Sequence, residues 1–249
     1  MRRYPSSTYT SSFSFGPGPI STAIKTLIGI NVVMFVLTSF EHRIELYLGL
    51  TPYVVLHQFW LWQVGTYMFL HGGIGHILFN MLALWMFGTE LERIWGTRYF
   101  LKFYLVTGLG AGALTVVFSL LPFGFAQQIQ GATIVGASGA IYGLLLAYAL
   151  YFPDRPIYMY FLFPVPAKIF VAIMGAIAFF LSLSGPSGTA NATHLGGLAV
   201  AYLFLKSARI HPISELKYRY LKWKINRVRK KFDVYSGGRN ADDWDRRVH

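Results

Sequence analysis

Long apolar segments alternate with short polar segments along most of this chain. Each apolar segment is near the length that an α-helix needs to cross about 30 Å of hydrocarbon. The pattern predicts an all-α, polytopic membrane protein with six transmembrane helices. The six segments cover residues 22–40, 68–89, 99–121, 136–152, 165–184 and 191–205.

The fourth apolar segment is predicted to hold a shorter helix than the others. If that helix begins near Ser138, its residues up to 152 span only about 22 Å. The preceding segment, GATIVGASGA, would then be irregular backbone inside the membrane. Such backbone is tolerated there only where protein or water satisfies its polar groups. We therefore expect a short, membrane-recessed fourth helix beside a water-filled cavity.

Charged residues set the predicted orientation of these helices. They fall in the second and fourth connections and at both ends of the chain, whereas the connections at 122–135 and 185–190 contain none. By the positive-inside rule, the charged connections and both termini are predicted to be cytoplasmic. The charged residues of the two connections are Glu90, Glu92, Arg93, Arg98, Asp154 and Arg155.

The first outer loop, residues 41–67, carries both charges and aromatic side chains. Its aromatic stretch contains Phe59, Trp60 and Trp62. This mixture is typical of a segment at the membrane interface. We expect an amphipathic loop that lies in the outer headgroup layer.

The composition agrees with a membrane-embedded chain. Charged residues make up 13% of it and hydrophobic residues 54%, whereas an ordinary soluble domain is about 25% charged. The net charge is +12, and many of the cations lie in residues 206–231. This position favours anionic-lipid contact and topology control over nucleic-acid binding. The chain has no cysteine, which excludes disulfide and thiol chemistry.

The same patterns divide the chain into three segments. Residues 1–19 are predicted to be a disordered cytoplasmic arm, residues 20–206 a six-helix membrane domain, and residues 207–249 a basic cytoplasmic tail. The short arm has no clear organelle presequence. We therefore expect a multi-pass protein of the bacterial inner membrane, with a mitochondrial membrane as the alternative.

A small set of polar side chains lies inside the predicted helices. Such groups are costly in hydrocarbon, and they mark either function or a satisfied pair. A count of about 1.5 Å per helical residue from the nearest cytoplasmic charge places most of them at one depth, below the outer surface. The set comprises His71, His76, Asn80, Ser138 and His194.

Ser138 and His194 are candidates for a nucleophile and its base. Ser138 at a helix start is either an N-cap hydroxyl or a nucleophile whose neighbouring amides stabilise an oxyanion. His194 is either a packing group or a general base. Gly136 and Gly139 allow a tight backbone around the serine. Small residues at four-residue spacing, among them Gly139 and Gly197, would let the two helices pack with serine and histidine facing each other.

The other polar residues each have a catalytic and a structural interpretation. Tyr142, one turn after Ser138, either stacks on the imidazole or is an ordinary buried aromatic. His76 and Asn80 share a helix face, and their donors suit either an oxyanion or hydrogen bonds that hold the helices together. His71 is expected to be a structural hydrogen-bonding group.

Three other kinds of function fit the sequence less well. A metal site made of His71, His76 and His194 lacks the usual spacing and any carboxylate, so no metal is expected. A Ser–Lys pair would need Lys168, which lies at the cytoplasmic start of the fifth segment and hence at the wrong depth. A channel or transporter is not indicated, because midplane charges and inverted repeats are missing.

The polar residues also resemble the motifs of a known family, the rhomboid intramembrane proteases. Residues 136–139, Gly-Ala-Ser-Gly, resemble its GxSG nucleophile motif, and Tyr142 stands at the usual position after it. Residues 71–80 resemble the HxxxxHxxxN motif of the second helix, and residues 193–197, Thr-His-Leu-Gly-Gly, the histidine segment of the sixth. The likeness covers residues 20–206. It departs from the family in the first outer loop, where Trp-Leu-Trp replaces the usual Trp-Arg pair.

The resemblance implies a serine endopeptidase that hydrolyses peptide bonds in or near transmembrane segments of other membrane proteins, without a cofactor. It implies a catalytic dyad of Ser138 and His194, with Tyr142 stacked beneath the histidine. It also implies an oxyanion site formed by the Ser138 backbone amide with His76 and Asn80.

The resemblance further implies how substrates enter. The fifth helix and the loop at 185–193 would move to admit them laterally, and Phe79 would line the entry. The expected partners are transmembrane protein substrates and the lipid bilayer, with no nucleic acid. The alternative is a non-proteolytic relative that binds and escorts membrane proteins. Such relatives lack the serine or the histidine, and this chain has both.

Overall fold

The computed structural model describes residues 18–159, 163–183 and 189–209. Most of the predicted arm and tail, and part of the loop at 185–193, lie outside these residues. The chain divides into two units, Met1–Lys206 and Ser207–His249. Apart from the last three residues of its final helix, everything described below belongs to the first unit.

The described part is mostly helical, which confirms the all-α membrane fold. The helices are α1 (Thr22–Phe40), α2 (Arg43–Leu48), α3 (Pro52–Gln58), α4 (Gln63–Thr66), α5 (Ile74–Ala83), α6 (Thr89–Trp95), α7 (Thr97–Phe118), α8 (Gly124–Gly131), α9 (Ser138–Tyr151), α10 (Ala167–Ser182) and α11 (Thr189–Arg209). A 3₁₀ turn, Tyr67–Phe69, follows α4, and a π-helical turn, Leu84–Gly88, joins α5 to α6. A hairpin of β1 (Pro156–Met159) and β2 (Phe163–Pro166) joins α9 to α10.

Three helical stretches in the described part are long and apolar enough to cross a membrane: Thr22–Phe40, Ile74–Trp95 and Thr97–Phe118. Helices α9 and α10 are apolar but shorter. Because α9 has 14 residues, it is about 21 Å long, well short of the hydrocarbon thickness. It begins at Ser138, where the sequence predicts the short fourth helix to begin. The count of six spans stays a prediction.

The second predicted span is shifted in the structure. The sequence predicts a helix over 68–89, but the helix begins at Ile74 and continues through the π turn to Trp95. His71 therefore precedes the helix and is separated from it by two glycines at 72 and 73. The charged residues Glu90 and Glu92, predicted to lie in a connection, lie within α6.

Glu92 remains in a helix because distant hydroxyl groups solvate its buried carboxylate. Its side chain is only 6% exposed. Ser21, the N-cap of α1, and Thr97, the first residue of α7, both donate hydrogen bonds to the carboxylate. Charge-assisted bonds of this kind are about twice as strong as neutral ones. One carboxylate thus joins α1, α6 and α7 at the same end of the bundle.

We expect Glu92→Gln to lower the free energy of unfolding by about 1–3 kcal/mol, because it replaces two charge-assisted bonds by neutral ones in a buried site. Thermal or SDS-induced unfolding in detergent measures this change. Glu41→Gln is the matched control, since Glu41 is exposed and accepts only a local bond from the Arg43 amide. Equal effects of the two substitutions would contradict the structural role of Glu92.

The first outer loop contains α2, α3 and α4 and is held together by a buried amide. Gln63 is fully buried. Its Oε1 accepts from the Thr51 amide at 3.1 Å, and its Nε2 donates to the carbonyls of Leu46 and Tyr47. The indole of Trp62 also donates to the Tyr47 carbonyl, at 2.9 Å. The sequence does not single out Gln63, since one amide in an aromatic loop gives no periodic signal.

The backbone that leads into α9 is fixed to this loop. Leu50 and Ile134 form an antiparallel bridge with two N–H···O bonds of 2.9 and 2.8 Å. The hydroxyls of Thr51 and Thr133 lie 2.9 Å apart beside it. The sequence predicts irregular backbone here, and the structure adds α8 before it. The extended segment after α8 is therefore pinned just ahead of Ser138.

At the opposite end of α9, Arg155 joins several elements. Its guanidinium donates to Glu90 at 3.1 Å and to the Tyr148 hydroxyl at 3.4 Å, and it lies 4.1 Å from the ring centroid of Phe152. The hydrogen bond to Tyr148, and to a smaller extent the hydrogen bond to Glu90, raises the pKa of Arg155 above its ordinary value. The Arg155 carbonyl accepts from the amide of Ala167, the first residue of α10. The start of α10 is thereby tied to α6 and α9.

Candidate active site

Ser138 is the first residue of α9, and its hydroxyl does not cap the helix. The N-cap is Ala137, which makes no side-chain capping bond. Gly136 has a φ of 129°, a conformation that favours glycine, and its amide donates to the Tyr67 carbonyl at 2.9 Å. The cap interpretation of Ser138 is wrong, and its hydroxyl is free to meet another helix.

The hydroxyl of Ser138 meets His194 of α11. The distance from Oγ to Nε2 is 2.8 Å. The Tyr142 ring stacks on the imidazole, with centroids 4.2 Å apart and planes inclined by 7°. Next to the histidine, the Thr193 and Thr115 hydroxyls lie 2.9 Å apart, which ties α11 to α7. The structure brings together the candidate nucleophile, the candidate base and the candidate stacking ring.

His194 has no second polar partner in the part of the chain that the structure describes. Its Nδ1 is buried and makes no hydrogen bond there. The imidazole is therefore oriented by the stacked Tyr142 ring and by the hydrogen bond to Ser138. This differs from a triad, in which a carboxylate holds the imidazole at Nδ1.

Close backbone contact between α9 and α11 places Ser138 and His194 within reach of each other. A Cβ added to Gly197 would lie 2.0 Å from the Gly139 carbonyl oxygen. Four residues further along α9, a Cβ at Gly143 would lie 3.2 Å from the Cβ of Ala201 and 2.2 Å from Thr107 Cγ2. Glycine is thus required at the crossing, because a carbonyl oxygen occupies the space of a side chain.

His76 of α5 lies against the backbone just before Ser138, and Asn80 follows it one turn along the same helix. A Cβ at Gly136 would lie 2.7 Å from both Cε1 and Nε2 of His76. The Asn80 amide donates one hydrogen bond to the His76 carbonyl at 2.7 Å. Because a carboxamide nitrogen carries two hydrogens, one donor of Asn80 remains for another acceptor. The glycine at 136 therefore lets the imidazole approach the residue before the nucleophile.

His71 is buried beside this group, and its ring packs against that of His76. Its ring lies edge-on to that of His76, with centroids 5.0 Å apart. Both of its ring nitrogens are buried without a hydrogen-bond partner among the described residues. The prediction that it serves as a structural hydrogen-bonding group finds no bond in the described part.

The structure also shows where the residues of the rival interpretations lie. No group of three His, Asp or Glu side chains in the described ranges is placed to hold a metal ion. Lys168, required for a Ser–Lys pair, forms a 2.7 Å ion pair with Asp154 at the start of α10. Phe79, predicted to line a substrate entry, is 70% exposed on α5.

Tyr67 supports the site although the sequence does not indicate it. Its carbonyl holds Gly136, and its buried hydroxyl donates to the Gly108 carbonyl at 2.8 Å. The same hydroxyl would lie 3.1 Å from a Cβ at Gly139. A tyrosine in an apolar stretch looks like any core residue, so only the fold reveals that it lies under the start of α9.

Comparison with known proteins adds to this geometry. The Rhomboid domain family matches residues 58–208. Rhomboid protease GluP of Bacillus subtilis is 36% identical over 137 residues, which is 55% of this chain and 24% of that protein. Rhomboid protein 1, mitochondrial, of Saccharomyces cerevisiae is 31% identical over 192 residues, 73% of this chain and 51% of that protein.

A plant protein gives a similar match. RHOMBOID-like protein 12, mitochondrial, of Arabidopsis thaliana is 32% identical over 144 residues, 55% of this chain and 43% of that protein. The chain thus spans about half or less of the length of these curated relatives. The family match covers more than half of the chain and includes Ser138 and His194. The chain therefore belongs to the rhomboid family of polytopic membrane proteins.

Proposed function

We propose that this protein is an intramembrane serine endopeptidase, with Ser138 as nucleophile and His194 as general base and acid. The 2.8 Å distance between Ser138 Oγ and His194 Nε2 is the observation that carries the proposal. A serine hydroxyl is a weak nucleophile until an adjacent base removes its proton. Membership in the rhomboid family supports the same reaction, because relatives such as GluP are named proteases.

The reaction proceeds in two halves. Ser138 Oγ attacks the scissile carbonyl carbon while His194 takes its proton, and the tetrahedral intermediate then expels the amine, which receives that proton. The product is an acyl-enzyme on Ser138. A water molecule, deprotonated by His194, attacks the ester carbonyl, and collapse returns the proton to Ser138 Oγ and releases the acid. The cycle consumes only the peptide and water.

The oxyanion of each intermediate requires donors near Ser138. The first amides of a helix lack intrahelical acceptors and carry the positive end of the helix dipole. The amide of Ser138 is such a donor, and we propose that His76 and Asn80 provide the others. Asn80 has a free amide hydrogen after its bond to the His76 carbonyl. Loss of one such donor costs about 10²–10³-fold in kcat.

Tyr142 is proposed to orient the imidazole through its ring rather than its hydroxyl. We expect Tyr142→Phe to retain kcat within about threefold, whereas Tyr142→Leu lowers it by about 10²-fold, because misplacement of the base by about 1 Å costs that much. The kcat for a single-span reporter measures both. Tyr148→Leu, on the same helix but near the far end, controls for general loss of a buried ring. Equal activity of the Phe and Leu variants at 142 would contradict the stacking role.

The proposed substrates are transmembrane segments of other proteins. A helical peptide must lose local helical structure before Ser138 can reach a carbonyl, so we expect small or helix-breaking residues near the cleaved bond. Phe79 is exposed on α5 and is proposed to line the lateral entry beside α10.

We also propose six spans in the bacterial inner membrane, with both termini in the cytoplasm. The named relatives include bacterial and mitochondrial proteins, so a mitochondrial membrane is the alternative location. Because the chain has no cysteine, single cysteines placed in each connection report their side of the membrane by thiol labelling in intact cells.

Covalent labelling tests the proposed function before any substrate is known. A fluorophosphonate probe reacts with activated serine hydroxyls, and it should label the detergent-solubilised wild-type chain on a peptide that contains Ser138. His194→Ala should remove the label while the protein stays folded. Absence of label from folded wild-type protein, together with no cleavage of several single-span reporters, would favour the escort alternative.

A further inference from the structure

The acidic side chains at one border of the bundle are all engaged by other partners in the described part. Glu90 pairs with Arg93 and Arg155, at 3.7 and 3.1 Å. Asp154 pairs with Lys168, and the carboxylate of Glu92 accepts from two hydroxyls. The cations left without a carboxylate partner in the described part of this border are Lys25, Arg98, Lys102 and Lys206.

Three of these four cations lie in the first two turns of α7 or near the end of α11. Arg98 and Lys102 are four residues apart and share a face of α7. Phe204 of α11 packs against Tyr99 and Phe103 of α7, with centroids 5.7 and 5.5 Å apart. Phe204 therefore joins α11 to the first turns of α7.

Lys102 lies over the Phe204 ring of this contact, and Lys206 lies over the Tyr202 ring on the exposed face of α11. Lys102 Nζ is 6.0 Å from the Phe204 centroid, and Lys206 Nζ is 5.8 Å from the Tyr202 centroid. All three cations are exposed. We call this set, Arg98, Lys102, Tyr202 and Lys206, the α7–α11 patch.

The helix itself adds positive potential to the patch. The first turn of α7 contains no acidic residue, and its N-cap, Gly96, offers no side-chain acceptor. Positive side chains at the N-terminal end of a helix are unfavourable unless an anion is close. Arg98 occupies this position without a carboxylate partner in the described ranges. An anion at the patch would offset the unfavourable placement of Arg98 at this helix end.

Apolar surface continues from the patch along the same two helices. Leu203 is 61% exposed, Tyr202 50% and Leu105 39%. Tyrosine and basic side chains next to exposed leucine are typical of the level where headgroups meet acyl chains. The surface thus offers cations to a phosphate and apolar contact to the chains that follow it.

We propose that the α7–α11 patch binds the headgroup of an anionic phospholipid. If basic residues at one membrane face attracted lipids only in a general way, every cation there would contribute equally to lipid retention. Lys25 is such a cation, because it lies one turn from Ser21 of the Glu92 junction, is exposed, and makes no ion pair or cation–π contact in the described ranges. The proposal differs in that it expects the patch, and not Lys25, to hold the lipid.

Native mass spectrometry of the full chain in neutral detergent tests the proposal with dioleoyl phosphatidylglycerol as the probe. The wild type should retain one such lipid at concentrations where dioleoyl phosphatidylcholine is not retained. Lys102→Ala with Lys206→Ala should weaken retention by about thirtyfold, because each lysine near the surface strengthens the binding of an anionic headgroup by about fivefold and the two factors multiply. Lys25→Ala should change it less than about twofold.

Two further arms decide the outcome. Lys102→Arg with Lys206→Arg keeps the charge and should keep the lipid, which separates a charge effect from misfolding. Inorganic phosphate at millimolar concentration should not compete, since it lacks acyl chains. Equal retention of the two lipids by the wild type, or equal losses in the Lys25 and patch variants, would overturn the proposal. The readout needs no catalysis, so its outcome is independent of the protease proposal.

Discussion

Ser138→Ala and His194→Ala should each reduce cleavage of a single-span reporter by about four orders of magnitude, to near background. The two residues act as one unit through the 2.8 Å bond between them. The double variant should therefore be no less active than either single variant. Initial rates in liposomes, with product fragments identified by mass, measure the effect.

Matched substitutions separate chemistry from structure in this experiment. Ser119→Ala removes another buried serine hydroxyl, which donates only to the Val116 carbonyl. His57→Ala removes a histidine that stacks on Tyr53 in the outer loop. Both controls should keep activity within about threefold. Cleavage that persists in Ser138→Ala or His194→Ala would contradict the dyad.

The second large effect is expected at the crossing of α9 and α11. Gly197→Ala would place a methyl group 2.0 Å from the Gly139 carbonyl oxygen. A backbone atom cannot rotate aside, so the helices must separate. We expect a loss of about 1–3 kcal/mol in the free energy of unfolding, and at least about a 10²-fold loss of kcat, because Ser138 and His194 move apart.

Gly29→Ala provides the control for this substitution. Gly29 also lies inside a helix, but a Cβ there meets nothing within 4 Å. Alanine should leave stability unchanged or raise it by up to about 1 kcal/mol. Unfolding in detergent and reporter cleavage are measured on both variants. A Gly197→Ala protein with wild-type activity would show that the close crossing does not set the serine–histidine distance.

The polar residues of the candidate site could be predicted because hydrocarbon makes such residues rare. Ser138 and His194 stand out in apolar segments, and the apolar run after Ser138 is too short to span the membrane. These two facts predict a short, recessed helix if it begins near Ser138, and α9 begins there. Helical spacing places Tyr142 on the same face as Ser138, because it lies four positions later, whereas its stacking on His194 is implied only by the resemblance to rhomboid proteases.

The supporting structure could not be predicted, because it depends on partners distant in the chain. Glu92 looks like a residue that ends a helix until Ser21 and Thr97 are known to donate to it. Gln63 looks like a surface residue until the loop carbonyls that it binds are in place. Hydropathy reports the solvent that a segment prefers, and it carries no information on such specific bonds.

The π turn at Leu84–Gly88 has a consequence for how this helix tolerates changes in length. A π turn holds one residue more than an α turn. In a regular α-helix each residue adds a rotation of about 100°. Because the π turn absorbs one residue, Glu92 faces the direction that it would face if the helix were regular and one residue were removed between Ile74 and Glu92. Residues 74–95 carry one spare residue between the end that faces Ser138 and the end that faces Ser21. A relative with a single deletion here would keep both ends in phase, whereas the same deletion in α7 would turn one end away.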